Sequence, residues 1–595
     1  MKRTLALVLA LCMLLGMSTA LAEVDRSAYA PGYAEPITLS THTTSSAHNV
    51  YSDGYTIRDN YYTRWIKDKF NINIEYDWVA GDSSTDQQKL DLVFASDDLP
   101  DLISCTANQL TRYVEAGKIQ PMDELIEKYA SPLVKWALEN AKETTGGKLF
   151  QPFTINGTVY AFPQINDSLS YKTAQFIRQD YLDAMGKQMP ATLAELEDVF
   201  AAYQELNPNG YALGMDKTLD AMQVAMAPYK AYRKMWVEKE DGTIAYGSIQ
   251  PEMKQALAKL REWYDKGYID PEFIVKAGSD VDAQLASGDL LLYYGAWWTI
   301  GGSLVTMWNA NEQATTEIMP WIKGEDGTTG LMKNTWFTTC YAITTSCEHP
   351  EAWIYLFNDA MDSYYRNEPA MHEVAKEIGY TFMYPETPVL QPNNVKEVAE
   401  KYPDVTQPAN LWSYDYDPEV EGFSFFRVDN SLSPTAMLIG IRGQFLYMGN
   451  MNYTNLAYAA ETGDTSKLTT VTLRQYDQWN NTHPNMLKTF SKIWDYLNPF
   501  EETDEFHANA YAGPNTPTMG EKQAYLDKLE EETFVKIIMG TESIDAFDTF
   551  VDNWYANGGT EITEEVNAWY QSVQSATAIR GREKSRPSFI QEETI

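Results

Sequence analysis

Apolar residues occupy every second position in NINIEYDWV, where Ile72, Ile74, Tyr76 and Trp78 fall on one face of an extended chain. Just upstream, DNYYTRWIKDKF spaces Tyr62, Trp65, Ile66 and Phe70 at three to four residues, which predicts a helix with one buried stripe. EPITLSTH before it predicts another strand, and QKLDLVFAS followed by DDLPDLIS predicts a helix, a turn and a third strand. The order β-α-β-α-β predicts an α/β fold built on a parallel sheet with right-handed crossovers. Helical spacing returns in QPMDELIEKYASPLVKWALEN, in ATLAELEDVFAAYQEL ahead of the breaker cluster NPNG, and in PEMKQALAKLREWYDKG. FTTCYAITTS predicts a strand and PEAWIYLFNDAMD a helix, while the stretch from about 380 to 455 shows neither period.

LLLYYGAWWTIGG ends an apolar run in Trp297 and Trp298. Successive side chains of an extended chain point to opposite faces, so both indoles cannot enter one core, and one of them is expected to face elsewhere. In α/β sheets ligands lie beyond the carboxyl ends of strands. The loops after Thr41 and after Ser104 are therefore candidate binding loops, rich in hydroxyl, amide and imidazole groups; His48 lies in the first and Asn108 in the second.

The first 22 residues, MKRTLALVLALCMLLGMSTALA, have a charged start at Lys2 and Arg3, an apolar stretch from Leu5 to Met17 and a small-x-small site at Ala20-Leu21-Ala22. This predicts a secretory signal peptide over 1–22, since the apolar stretch is shorter than the roughly 18 to 20 residues that span a membrane. The rest is too long for one core and predicts two or more lobes. A formal charge of −37 opposes binding to nucleic acid or anionic lipid. Cys105, Cys340 and Cys347 form an odd set, and the last two, at the ends of a predicted strand, stand roughly 23 Å apart, too far to bridge. They read as small buried hydrophobes.

Enzyme motifs are missing: no G-x-S-x-G, no G-x-x-x-x-G-K-[ST], no G-x-G-x-x-G and no H-E-x-x-H. The nearest histidines, His42 and His48, lie in a polar loop without a cysteine or paired carboxylate to complete a metal site. No cofactor or metal is expected. With 39 Tyr and 16 Trp, the aromatic surplus suits sugar binding, because an indole face matches the C–H face of a pyranose while its N–H stays available.

Taken with ASDDLPDLI, TINGTVYAFPQ, FIRQDYLDAMGKQMPATLAELEDVF, LREWYDKGYIDPEF and FDTFVDNWYANGGTEITEEVNAWY, the chain resembles the extracellular solute-binding proteins of carbohydrate ABC transporters, the group that includes maltose-binding protein. Within that group it is most similar to the large gut-bacterial and bacillus-type members, many of them lipoproteins. The resemblance implies a two-lobed, type II periplasmic-binding-protein-like α/β fold with crossover strands and extra C-terminal helices. Lobe 1 would hold 36–163 and 321–425, lobe 2 would hold 168–320 and 430–570, and 571–595 would be a tail. FPQIND and IMPWIKG would be the crossing points, and the ligand would lie in the cleft under hinge closure.

Carried over residue by residue, Trp298, ten residues after Gly288, matches the family's sugar-stacking tryptophan, and Trp297 would pack inward beside it. Asp167 stands where the family has a hinge carboxylate that accepts sugar hydroxyls, although SLSYK after it also suits a helix N-cap. Asn108 replaces a hydroxyl-binding carboxylate. Asp216, Trp412 and Arg442 are further candidates for the ligand site. Two departures stand out: LNPNGYALG lacks the carboxylates of a calcium loop, and no lipobox cysteine sits at the cleavage site, Cys12 lying inside the apolar stretch. The expected function is capture of an oligosaccharide outside the cytoplasm by a monomeric receptor that delivers it to a permease. A secreted carbohydrate-active enzyme and a peptide receptor of the same fold are the alternatives.

Overall fold

In the computed structural model, the described residues are 29–44, 56–59, 61–81, 83–144, 150–163, 173–333, 339–366, 369–382, 415–417, 422–424, 446–468, 470–497 and 506–584. The predicted signal peptide, Asp167, His48, Trp412 and Arg442 lie outside them, as do the ring atoms of Trp298. Contacts divide the chain into two compact units, one drawing on Met1–Ile165, Phe337–Met448 and Thr469–Arg474, the other on Asn166–Trp336, Gly449–Leu468 and Gln475–Ile595.

The chain enters unit 1 through β1 (Ile37–Thr44), α1 (Tyr61–Phe70), β2 (Ile72–Ala80), α2 (Ser83–Ala95), β3 (Leu102–Cys105) and α3 (Ala107–Glu115), and leaves it after β4 (Phe162–Pro163). β1 and β2 run parallel from Ile37↔Ile72 to Thr44↔Ala80, with a register shift between Thr41 and His42. The alternation of β2 buries Ile72, Ile74 and Tyr76, which is why a period of two predicted this strand.

Unit 2 begins with β5 (Thr173–Arg178), followed by α4 (Leu193–Leu206), β6 (Tyr211–Leu213), α5 (Pro251–Asp265), β7 (Leu290–Ala296), β8 (Thr316–Met319) and β9 (Leu331–Lys333). Four of these strands make one sheet in the order β8-β5-β7-β6. α4 starts in a capping box, with the Thr192 hydroxyl accepting the Glu195 N–H and the Glu195 carboxylate accepting the Thr192 N–H. α5 buries Met253, Ala256, Leu257, Leu260 and Trp263 at helical spacing. It ends where Gly267 takes φ 75° and the Tyr268 N–H reaches back to the Trp263 carbonyl, a turn that favours glycine.

The chain then returns to unit 1 as β10 (Cys340–Ile343), which pairs antiparallel with β3 and with β4, and α6 (Pro350–Arg366). It finishes in unit 2 with α7 (Pro484–Leu497), β11 (Phe506–Ala508), α8 (Pro517–Met539), α9 (Ala546–Trp554) and α10 (Thr560–Lys584). β5 is buried along almost its whole length because both of its faces are covered. Ile177 joins a core with α5, α8 and α9, whereas Ala174 and Phe176 join a second core with α7.

Two expected boundaries move. Residues 321–333 stay in unit 2 instead of returning to the first lobe. Strand pairing holds them there: β8 lies beside β5, the Trp321 N–H donates to the Tyr496 hydroxyl, and β9 pairs in parallel with β11. The expected tail from 571 is instead the continuation of α10 as far as Lys584.

Cys105 and Cys340 face one another across β3 and β10 with sulfurs 3.6 Å apart, both fully buried, and Cys347 is buried too. Burial pushes the Cys340 thiol well up and the Cys347 thiol to about 12, which suppresses the reactive thiolate. A maleimide is therefore expected to label none of the three in native buffer and all three in guanidinium, counted by mass spectrometry. Rapid native labelling of Cys340 would contradict this packing.

Candidate functional site

The strand directions in unit 2 bring several loops to one edge of its sheet. β7 is antiparallel to β5, with Ala296 opposite Thr173, and parallel to β6; β8 is antiparallel to β5, with Met319 opposite Gln175. The carboxyl ends of β6, β7 and β8 and the amino end of β5 thus share that edge. It is where ligands bind in α/β sheets.

Trp297 and Trp298 leave this edge in a 3-10 turn, Trp297–Gly301, not in a strand. Trp297 is 8% exposed and packs on Trp479 and Phe490 with ring centroids 6.2 and 6.0 Å away, so it is a core residue, not a ligand-facing one. The backbone of Trp298 occupies the next position in the turn. Asp216 follows β6 at the same edge, but its Oδ1 accepts from both the N–H and the hydroxyl of Thr218, at 2.9 and 2.6 Å. It shapes a turn. Asn108 belongs to unit 1, in the first turn of α3, behind a capping box formed by Thr106 and Gln109.

A recess of about 260 Å³ opens at the unit 2 edge, with polar walls from Thr173, Asp220, Gln223, Arg233, Lys234 and Asn509. Leu219, Met226, Met235, Tyr294 and Met332 supply its apolar surface. The hydroxyls of Thr173 and Tyr294 are 2.8 Å apart, so they exchange one proton and retain acceptor capacity. Gln223 donates its Nε2 to the Gly330 carbonyl, and its buried Oε1 has no hydrogen-bond partner among the described residues. Leu219 and Lys234 adopt φ of 65° and 55°, a conformation that costs energy in residues with a Cβ and gathers at functional sites.

Charge in the recess is tightly organised. Arg233 donates from Nε to Glu530 at 3.0 Å and from an η-nitrogen to the Thr218 carbonyl at 3.0 Å, and Lys234 donates to Glu531 at 2.8 Å. Desolvation raises the Asp220 carboxyl above its ordinary value; Asp216 adds to the rise, while Thr218, Arg233 and Lys234 oppose it. A carboxylate, an amide and paired hydroxyls beside thioethers and a phenol ring can grip a ligand that is polar at its edges and apolar on its faces.

A second recess, about 470 Å³, lies in unit 1 against Ile37, Thr38, Asp101 and His349. It sits at the amino ends of β1 and β3, the wrong edge for a ligand of this fold class. His42 is buried with Nδ1 bound to Asp86 and Nε2 to the Ser104 N–H, so neither ring nitrogen is left for a metal. Among the described residues no group of three or more His, Cys, Asp or Glu is placed to hold a metal.

Residues 66–405, more than half of the chain, match the family described as bacterial extracellular solute-binding protein. The chain belongs to that family. This solute-binding protein is 25% identical over 218 residues to lipoprotein LipO of Bacillus subtilis, covering 34% of this chain and 40% of that one. It is 24% identical over 221 residues to the fructooligosaccharide ABC transporter substrate-binding protein FusA of Streptococcus pneumoniae, covering 33% and 40%. The matched stretches thus span less than half of these relatives. Among solved structures, the alginate-binding protein AlgQ2 superposes with a TM-score of 0.59 at 13% identity over 91% of this chain and 99% of that one. FusA with fructo-nystose superposes at 0.58 and 16% identity over 91% and 100%. At these identities the likeness establishes the fold, that of the two-lobed periplasmic-binding-protein class.

Family membership puts the solute-binding protein outside the cytoplasm, and among the described residues no helix is long and apolar enough to cross a membrane. Sequence reasoning missed Asp220, Gln223, Arg233 and the Thr173–Tyr294 pair. The one signal within reach was that Tyr294 stands in the same LLLYYGAWW run as the twin tryptophans.

Proposed function

We propose that this protein captures an oligosaccharide or other complex carbohydrate outside the cell and hands it, chemically unchanged, to the permease of an ABC transporter. The observation that carries this reading is the recess at the carboxyl edge of the unit 2 sheet, where Asp220, Gln223 and the Thr173–Tyr294 pair stand beside apolar surface. FusA is named for fructooligosaccharides, and YtcQ of Bacillus subtilis, 22% identical over 277 residues, for polygalacturonan and rhamnogalacturonan. In this reading Trp298 stacks on a sugar ring, while Asp167 and Asn108 accept or donate to hydroxyls, with His48, Trp412 and Arg442 as further ligand contacts. The receptor works as a monomer. Micromolar affinity, about −8 kcal/mol, is within reach of one or two stacked rings plus hydroxyl contacts.

Thermal shift against a glycan panel, with reducing ends assayed in the same wells, tests the proposal: a shift without new reducing ends is expected, and turnover would refute it. In calorimetry Trp298→Ala is expected to weaken the best ligand by at least about tenfold, the loss of a well-packed aromatic contact. Affinity is also expected to fall on acidification with a midpoint above the ordinary aspartate value of about 3.9, because Asp220 accepts hydroxyls best as the carboxylate and its proton is held more tightly than usual. Asp220→Asn should remove that step.

A further inference from the structure

We infer that the recess selects a neutral, hydroxyl-rich glycan and rejects uronic-acid oligomers; this deepens the receptor reading above and rests on it. Both of its cations are already paired with carboxylates. One edge of the Arg233 guanidinium faces Glu530, an η-nitrogen donates to the Thr218 carbonyl, and the other η-nitrogen lies 3.7 Å from Glu531, which also takes Lys234. No two-pronged donor face remains for a sugar carboxylate.

To recruit Arg233, an acidic sugar would have to displace Glu530, which is fully buried, and leave that charge without its partner. Glu530 and Glu531, behind the wall, pair with its two cations, and Asp220 adds a carboxylate on the wall itself, so the recess has no surplus positive charge to offer an acidic ligand. The formal charge of −37 on the whole chain repels polyanions at longer range. A neutral glycan meets none of these obstacles. Its hydroxyls donate to Asp220, and the Thr173–Tyr294 pair completes the contact from the other wall.

Calorimetry on the mature protein, with matched-length fructo-, malto- and xylo-oligosaccharides set against galacturonate and mannuronate oligomers, tests the inference. The tightest acidic oligomer is expected to bind at least tenfold more weakly than the tightest neutral one. Methyl-esterifying the galacturonate oligomer, or Asp220→Asn in the protein, should narrow that gap severalfold. An acidic oligomer that binds as tightly as the best neutral glycan overturns the inference and leaves the receptor standing. Failure of every glycan to bind at millimolar concentration overturns the receptor reading, and the inference with it.

Discussion

Replacing Glu530 with alanine is expected to destabilise unit 2 by about 3–5 kcal/mol, the range for breaking one side of a buried ion pair. α8 buries Met519, Leu526, Glu530, Phe534, Ile537 and Ile538, so this carboxylate sits on the apolar stripe of its helix, among side chains that cannot solvate it. Its partners are Arg233 Nε at 3.0 Å and the Tyr246 hydroxyl at 3.3 Å, and Tyr246 itself stacks on Trp554. Alanine would take its close counter-ion from a guanidinium side chain only 10% exposed, leaving it Glu531 at 3.7 Å. Denaturant unfolding should show the loss, and a thermal scan a fall on the order of 5–10 °C. The Glu530→Leu, Arg233→Met double variant removes both charges and should recover most of the deficit, since apolar replacement of a complete buried pair is commonly neutral. Burial raises the Glu530 carboxyl above its ordinary value, with Arg233 and Lys234 opposing. The folded state then holds this proton more tightly than the unfolded chain, so the group's contribution is present at acid pH and declines as pH rises through the raised value. Glu530→Gln should flatten that decline. A Glu530→Ala protein within 1 kcal/mol of its parent would mean that Arg233 finds water or another acceptor.

Elements whose evidence is local were legible in the sequence. The stripe of α5 and the alternation of β2 each state one buried face within a dozen residues. Partners distant in the chain were not. IMPWIKG looked like a return to the first lobe, yet β9 pairs with β11, some 175 residues later, and no local pattern encodes that choice. The twin tryptophans show a subtler gap: alternation holds for a strand, whereas they sit in a 3-10 turn, so the inward packing of Trp297 on Trp479 and Phe490 arises from different geometry. The recess draws its walls from residues 173, 219, 220, 223, 226, 233–235, 294, 332 and 509, mostly outside the strands, and only tertiary packing brings them together. Asp216 was the conspicuous carboxylate after β6. It is spent on Thr218, and Asp220, four residues on, is the one that reaches the recess.

Replacing His42 with alanine is expected to cost unit 1 about 3–5 kcal/mol, because one ring performs three tasks there. The Ser104 N–H donates to Nε2 at 2.9 Å, which leaves the ring proton on Nδ1 to be donated to Asp86 at 2.8 Å. The ring also stacks on Trp78 at 4.5 Å, and Trp78 Nε1 donates to the same Asp86 oxygen. His42 stands where the β1–β2 register shifts. β1 and β3 belong to different sheets, and side chains bridge them: Thr41 Oγ1 donates to the Leu102 carbonyl, the Ser40 N–H donates to Asp101, and His42 accepts from Ser104. Alanine would open a cavity, orphan the Ser104 N–H and take a donor from an Asp86 that is 4% exposed. Asp86→Asn keeps an acceptor oxygen for both rings and should lose less than half as much. Fluorescence of Trp78 would follow the transition in denaturant, provided the other tryptophans are compared by a Trp78→Phe control. If His42→Ala unfolds within 1 kcal/mol of the parent, the two strand pairs are held together by the surrounding apolar contacts, and the bridging role assigned to this ring is wrong.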